Sequence, residues 1–192
     1  MTEFANYMTR ENMPTGYSSR GGQVLNPYNK DTHPGGSSSG SGVAVAAGLC
    51  MVAIGTETAG SIMSPAMQNG IVGIKPTLGL VGRSGIIPIS STHDTAGPMA
   101  RTVRDAAILL SVIAQPDPND AATQARAYSP VDYTKYLDKD GFEGIRIGIN
   151  RSQKLDDFKL SEEEKAPFDN LCKIASDAGA VLIDNVDIDS GV

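Results

Sequence analysis

Cysteine occurs only twice in this sequence, at Cys50 and Cys172, and histidine only twice, at His33 and His93. The cysteines lie far apart and no histidine cluster accompanies them. That excludes a metal-ligand spacing, and the expectation is two buried thiols. Tryptophan is absent, and aromatic residues make up 5% of the 192 positions. Long apolar runs are missing too. The longest, Val43 to Gly55, is too short for a bilayer-spanning helix, which takes ~20 residues. Positive charge is not in excess. The net charge of −6 argues against a nucleic-acid surface, which needs clustered Lys and Arg. Met1-Thr2-Glu3-Phe4 has neither the basic start nor the apolar core of a signal peptide. The expectations are no membrane, no nucleic-acid partner, no metal or cofactor, and a cytoplasmic location.

What is present is ordinary for a globular domain: 40% hydrophobic and 20% charged residues, with one domain as the default count. The informative stretch runs from Gly35 to Thr77. It holds two clusters of small residues, Gly35-Gly36-Ser37-Ser38-Ser39-Gly40-Ser41-Gly42 and Thr58-Ala59-Gly60-Ser61. An Ala/Val-rich run and a short β-like run, Val52-Ala53-Ile54-Gly55, separate them. Small residues let the backbone approach a ligand closely. Two such bends, joined by a helix and a strand, can face each other and bring two serines to one site.

This stretch resembles the signature region of the amidase signature enzymes, serine hydrolases of amide bonds with a Ser–Ser–Lys triad. The resemblance rests on Gly35 to Ser41, on Gly55-Thr56-Glu57-Thr58-Ala59-Gly60-Ser61-Ile62, and on Gly73-Ile74-Lys75-Pro76-Thr77. It extends to Asn26-Pro27-Tyr28 and to the run from Asp94 to Val103. It covers about residues 1–115, with a weaker echo beyond. The resemblance implies that Ser61 is the nucleophile. Ser37, 24 positions earlier, would be the second serine, following a cis peptide bond and relaying a proton. It implies an oxyanion hole from the backbone amides of Thr58, Ala59, Gly60 and Ser61, with Gly36, Ser38 and Ser39 in support. Glu57 reads as a structural anchor. The triad lysine lies in the family upstream of the segment resembling residues 2–7. Lys30 does not match that motif, and Lys75 matches a structural one. The expectation is thus a piece of an amidase that carries the nucleophile and oxyanion loop and lacks the lysine.

Along the chain, residues 8–34 read as a long surface loop with turns at Pro14-Thr15-Gly16 and Gly21-Gly22. A helix is expected at 41–51 and a buried strand at 52–57. A second helix is expected from Ser61 to Asn69, with Pro65 in its first turn, and a strand from Ile71 to Ile74. Residues 78–98 read as irregular with one short strand at Gly85-Ile86-Ile87-Pro88-Ile89. Thr102 with Asp105 caps a helix whose apolar face is Val103, Ala106, Ala107, Leu110 and Ile113, stopped by Pro116. Residues 116–143 read as a linker or excursion. In 144–192 a strand at 145–149, a helix from the Ser161/Glu164 capping box to Ala178, and a strand at Val181-Leu182-Ile183 suggest a βαβ unit. The fold class is α/β, a partial amidase-signature fold with a mixed sheet flanked by helices.

Competing motifs fail on context. Gly36-Ser37-Ser38-Ser39-Gly40 fits a nucleophile elbow, but no strand precedes it. No G-K-[ST] of a P-loop occurs. His93 beside Asp94 hints at a Ser–His–Asp triad, and a lone loop histidine is more often incidental. The expected function is hydrolysis of a small amide or peptide amide through an acyl-serine intermediate. The alternatives are a protein like the A-type component of tRNA-dependent amidotransferases, or a non-catalytic interaction fragment. Exposed apolar faces in such a fragment would favour a homo-oligomer or docking with a complementary segment.

Overall fold

The computed structural model describes residues 2–6, 14–125, 128–149, 162–184 and 186. They form two compact units, Met1–Tyr136 and Leu137–Val192.

The first unit opens with a 3₁₀ turn, Glu3–Asn6, and a small hairpin of β1 (Tyr17–Ser18) and β2 (Gly22–Gln23). Its centre is an antiparallel sheet of β3 (Val52–Glu57), β4 (Val72–Gly73) and β5 (Thr95–Ala100), in the order β3-β5-β4. Register pairs Gly55 with Gly97 and Gly73 with Met99. β3 falls where the sequence places it, but it is half-buried, with Ile54 50% exposed. The middle strand departs from expectation. No strand forms at 85–89, and β5 occupies 95–100 with all six residues buried. Gly97 and Pro98 are poor strand formers in isolation. Here Pro98 needs only its carbonyl, which accepts from Ile74 N at 3.0 Å.

α1 (Ser39–Ala46) starts earlier and stops sooner than expected. Leu49 N donates to Ala44 O at 2.8 Å and Gly48 N to Val45 O at 3.2 Å, a Schellman closure that ends the helix. α2 (Met63–Gln68) is a short helix with Pro65 in its first turn, where a missing N–H costs nothing. In α3 (Val103–Ile113) the Thr102 hydroxyl accepts from Asp105 N at 3.1 Å. α3 buries Ala106, Ala107 and Leu110. Val103, expected on that face, is 55% exposed, and Ala114 is buried instead. Two apolar clusters fill this unit. Val81, Ala96, Leu110 and Ala114 form one, and Ile62, Ala66 and Met99 the other. After Pro116, α4 (Ala121–Gln124) and a 3₁₀ turn at Tyr133–Tyr136 fold back on this unit, with Tyr133 packed on the first cluster.

In the second unit β6 (Arg146–Gly148) and β7 (Val181–Ile183) pair in parallel, with α5 (Glu162–Asp177) between them in sequence. This is the βαβ arrangement. Gly179, at φ +93°, and Ala180 close α5 through bonds to Ser176 O and Ala175 O. The expected cap at Ser161 lies outside the described residues. Cys50 and Cys172 are free and half-buried, not fully buried as expected. No helix among the described residues is long and apolar enough to cross a membrane.

Candidate active site

The two glycine/serine bends meet. Ser38 N donates to Ser61 O at 3.1 Å, joining the start of α1 to the turn between β3 and α2. The Ser38 hydroxyl also accepts from Thr56 N and donates to Thr56 O, both at 3.0 Å, and so fastens the first bend to β3. The peptide bond between Gly36 and Ser37 is cis, and Ser37 is 1% exposed. Gly35 has φ +70°, and a Cβ there would lie 2.6 Å from the backbone of Pro65. Only glycine lets this bend lie against α2.

Thr2 ties the bend from the other side. Its N–H donates to Ser37 O at 2.9 Å, and its hydroxyl pairs with Ser39 Oγ at 3.0 Å and accepts from Gly16 N at 2.9 Å. Ser39 Oγ also donates to Gly35 O at 2.6 Å. Ser38 and Ser39 thus hold the bend and turn their hydroxyls toward the scaffold.

The Ser61 turn hangs from β3 by Glu57. That carboxylate is 5% exposed and accepts from Ile62 N at 2.7 Å and Met63 N at 3.0 Å, satisfying free amides at the start of α2. Ile62, fully buried, sinks the next side chain into the core. Gly60, at φ +87°, makes the reversal between them. Ser61 is left half-buried at the surface of the turn.

Ser37 and Ser61 line one cleft together with Thr56, Glu57, Thr58, Arg83, Ile86, Ile87, Ile89 and Asp94. Its volume is about 310 Å³ including the open mouth. Thr58 and Ser61 face it, while Ala59 is exposed and Gly60 half-buried on the turn between them. Lys75 is exposed, with its Nζ donating to His93 O at 3.2 Å, and Lys30 is exposed on the loop. His93 Nδ1 lies 3.0 Å from Ser90 Oγ and 2.9 Å from Thr92 Oγ1, and it is Thr58 that Asp94 holds. Among the described residues no group of three or more His, Cys, Asp or Glu is placed to hold a metal.

Two carboxylates brace this region: Asp94, which the sequence offers only as a neighbour of His93, and Asp120, which it does not single out. Asp94 Oδ1 accepts from Thr58 Oγ1 at 2.6 Å, and its Oδ2 accepts from Ile89 N at 2.8 Å and Ser90 N at 2.9 Å. Burial pushes the Asp94 carboxyl up. These three hydrogen bonds and the Arg83 charge outweigh it, so the net direction is below the ordinary value. Asp120 receives Arg83 Nε and a terminal nitrogen, each at 2.8 Å, in a bidentate pair. Arg83 also donates to Ser91 O at 2.8 Å, pinning both ends of the wall.

The Arg83 guanidinium, with help from Ala122 N, takes the Asp120 carboxyl down to about 2 from 3.8. A depressed carboxyl stabilises the fold above its unfolded value, and this is lost as pH falls from about 4 through about 2. With screening discounted, Asp120→Ala is expected to cost about 1–2 kcal/mol at pH 7. The difference between wild type and variant in urea melts should begin to shrink near pH 4 and lose its ionic part only below about pH 2.

Comparison with known proteins places this geometry. The Amidase family profile matches residues 1–190. The crystal structure of a peptide amidase from Stenotrophomonas maltophilia superposes with TM-score 0.87 at 48% identity, covering 96% of this chain and 37% of that one. "Probable amidase At4g34880" of Arabidopsis thaliana is 41% identical over 190 residues, 98% of this chain and 35% of the relative. The A-type component of the glutamyl-tRNA(Gln) amidotransferase of Desulforapulum autotrophicum is 43% identical over 162 residues, 83% of this chain and 32% of the relative. The chain therefore spans about a third of the length of these relatives. Profile, sequence and superposition agree over nearly all of its residues: the chain belongs to the amidase signature family.

Proposed function

We propose that the protein hydrolyses a small carboxylic amide or peptide amide through an acyl-Ser61 intermediate. Ser61 Oγ attacks the amide carbon and its proton passes through Ser37 to a neutral lysine. The C–N bond then breaks as that proton goes to the leaving nitrogen, releasing ammonia or an amine. Water attacks the acyl ester by the reverse path and frees the acid. The amides of Thr58, Ala59, Gly60 and Ser61 are assigned to the oxyanion, a kind of donor whose loss costs about 10²–10³ in rate. Lys75 is engaged at His93 O and Lys30 is exposed on its loop, and neither is assigned to this relay.

One observation carries this reading. Ser37 and Ser61 open onto the same cleft, and the bond from Ser38 N to Ser61 O fixes their two bends together. Membership of a larger assembly with a tRNA-linked substrate, suggested by the similarity to an amidotransferase component, is the second reading. The peptide amidase superposes with TM-score 0.87 at 48% identity, against 0.75 at 36% for a solved amidotransferase component. The test is covalent labelling by a fluorophosphonate, located by mass spectrometry. The expected result is modification of the peptide carrying Ser61 and none in Ser61→Ala. Absence of labelling in a version that also carries the triad lysine would overturn the proposal and favour a non-catalytic fragment.

A further inference from the structure

The cleft has two unlike linings. Ser37, Thr58 and Ser61 give it polar lining, and Ile86, Ile87 and Ile89 from the loop 86–90 give it apolar lining. Ile86 packs on the cluster of Val81 and Ala96 and anchors this loop in the core. Ile87, one residue on, is 88% exposed. An aliphatic side chain left in water at the rim of a cleft favours any apolar group that covers it.

The loop is not loosely hung. The Asp94 side chain, 8% exposed, grips it at Ile89 N and Ser90 N with one oxygen and grips Thr58 Oγ1 with the other. A single carboxylate therefore fixes the spacing between the apolar wall and the turn that carries the nucleophile. The serine relay makes no use of this group.

We propose that the Ile86–Ile89 wall receives the acyl side of the substrate, that the substrate class is amides of apolar acyl groups, and that Asp94 is the positioning residue holding this wall against the oxyanion turn. This deepens the reading above and rests on Ser61 being the nucleophile. An aliphatic or aromatic acyl group lying on Ile87 and Ile89 would share the cleft with Ser61. Its burial is then linked to the reacting geometry, and truncated acyl groups lose reaction rate as well as affinity.

The test compares Ser61 labelling rates for two fluorophosphonates, one with a decyl chain and one with a methyl group. Wild type should react faster with the decyl probe. Ile87→Asp should lower the ratio of the two rates about tenfold, the discrimination a small apolar contact supplies. Asp94→Ala should slow both probes at least ~10-fold, the scale of a misplaced oxyanion donor. Asp94→Asn should recover most of that loss, because its carbonyl still accepts the two loop amides and its NH₂ donates to Thr58 Oγ1. This variant keeps the test decisive if Asp94→Ala does not fold. An unchanged ratio in Ile87→Asp overturns the substrate class. Wild-type rates in a folded Asp94→Ala, or no recovery in Asp94→Asn, overturn the positioning role. Failure of both probes to label a version that also carries the triad lysine overturns the assignment of Ser61 itself, a separate outcome.

Discussion

Ser61→Ala is expected to abolish amide hydrolysis, and Ser37→Ala to lower kcat by about 10³-fold or more, with the double variant no slower than Ser61→Ala alone. Residues that act as one unit lose their joint contribution when either is removed, so their effects do not multiply. The structure supplies the coupling: Ser38 N, the amide next to Ser37, holds Ser61 O at 3.1 Å. A suitable protein is a chimera in which residues 1–190 replace the matching part of the Stenotrophomonas maltophilia peptide amidase, 48% identical and superposing at TM-score 0.87. Ammonia release from a C-terminal peptide amide gives the rate. Multiplicative losses would show that the two hydroxyls act independently and that no proton passes between them.

The second large effect is structural. Gly97→Ala is expected to destabilise the first unit by about 3 kcal/mol or more, at the top of the range for overpacking, and to abolish Ser61 labelling. A Cβ at Gly97 would lie 2.0 Å from Ile74 O, 2.7 Å from Pro76 Cδ and 3.1 Å from Ile62 Cδ1. The nearest atom is a backbone carbonyl, which no rotamer change can move. β5 is the middle strand, so a shift there displaces β4 on one side and β3 on the other. Ile62 follows Ser61 directly, and the disturbance reaches Ser61 through it. Urea melts measure the stability loss. A wild-type midpoint would show that β4 and β5 can separate freely.

Much of this molecule was legible in its sequence, for reasons that differ from element to element. Thr102 with Asp105 marked the start of α3 because a capping hydroxyl acts on an amide three residues away, a local event. The alternation at Ile145–Ile149 and the helix before Val181 pointed to the βαβ unit for the same reason. Ser37 and Ser61 came from resemblance, since nothing in either bend alone says that the two meet. β5 was missed because its stability is wholly tertiary: Thr95 to Ala100 is a strand only between β3 and β4. Asp94 was missed as a site residue for a related reason. Its three donors lie four to 36 positions away, and only folding collects them. A signal was available, a single carboxylate at the head of a chargeless run, Thr95 to Ala100, that has to be buried with its partners.

β3 stands at the margin of its sheet, paired only with β5 among the described residues. Three of its outward groups are nonetheless occupied. Thr56 N and O both engage the Ser38 hydroxyl, and Ile54 O receives Ser41 Oγ at 2.8 Å. Two side chains from the glycine-rich bend stand in for a missing neighbouring strand. Unpaired margins of this kind recruit strands from other molecules. The segment that ties the bends of Ser37 and Ser61 together is therefore also a cover for this strand margin, and damage that opens it loosens both bends and exposes an adhesive edge in one event.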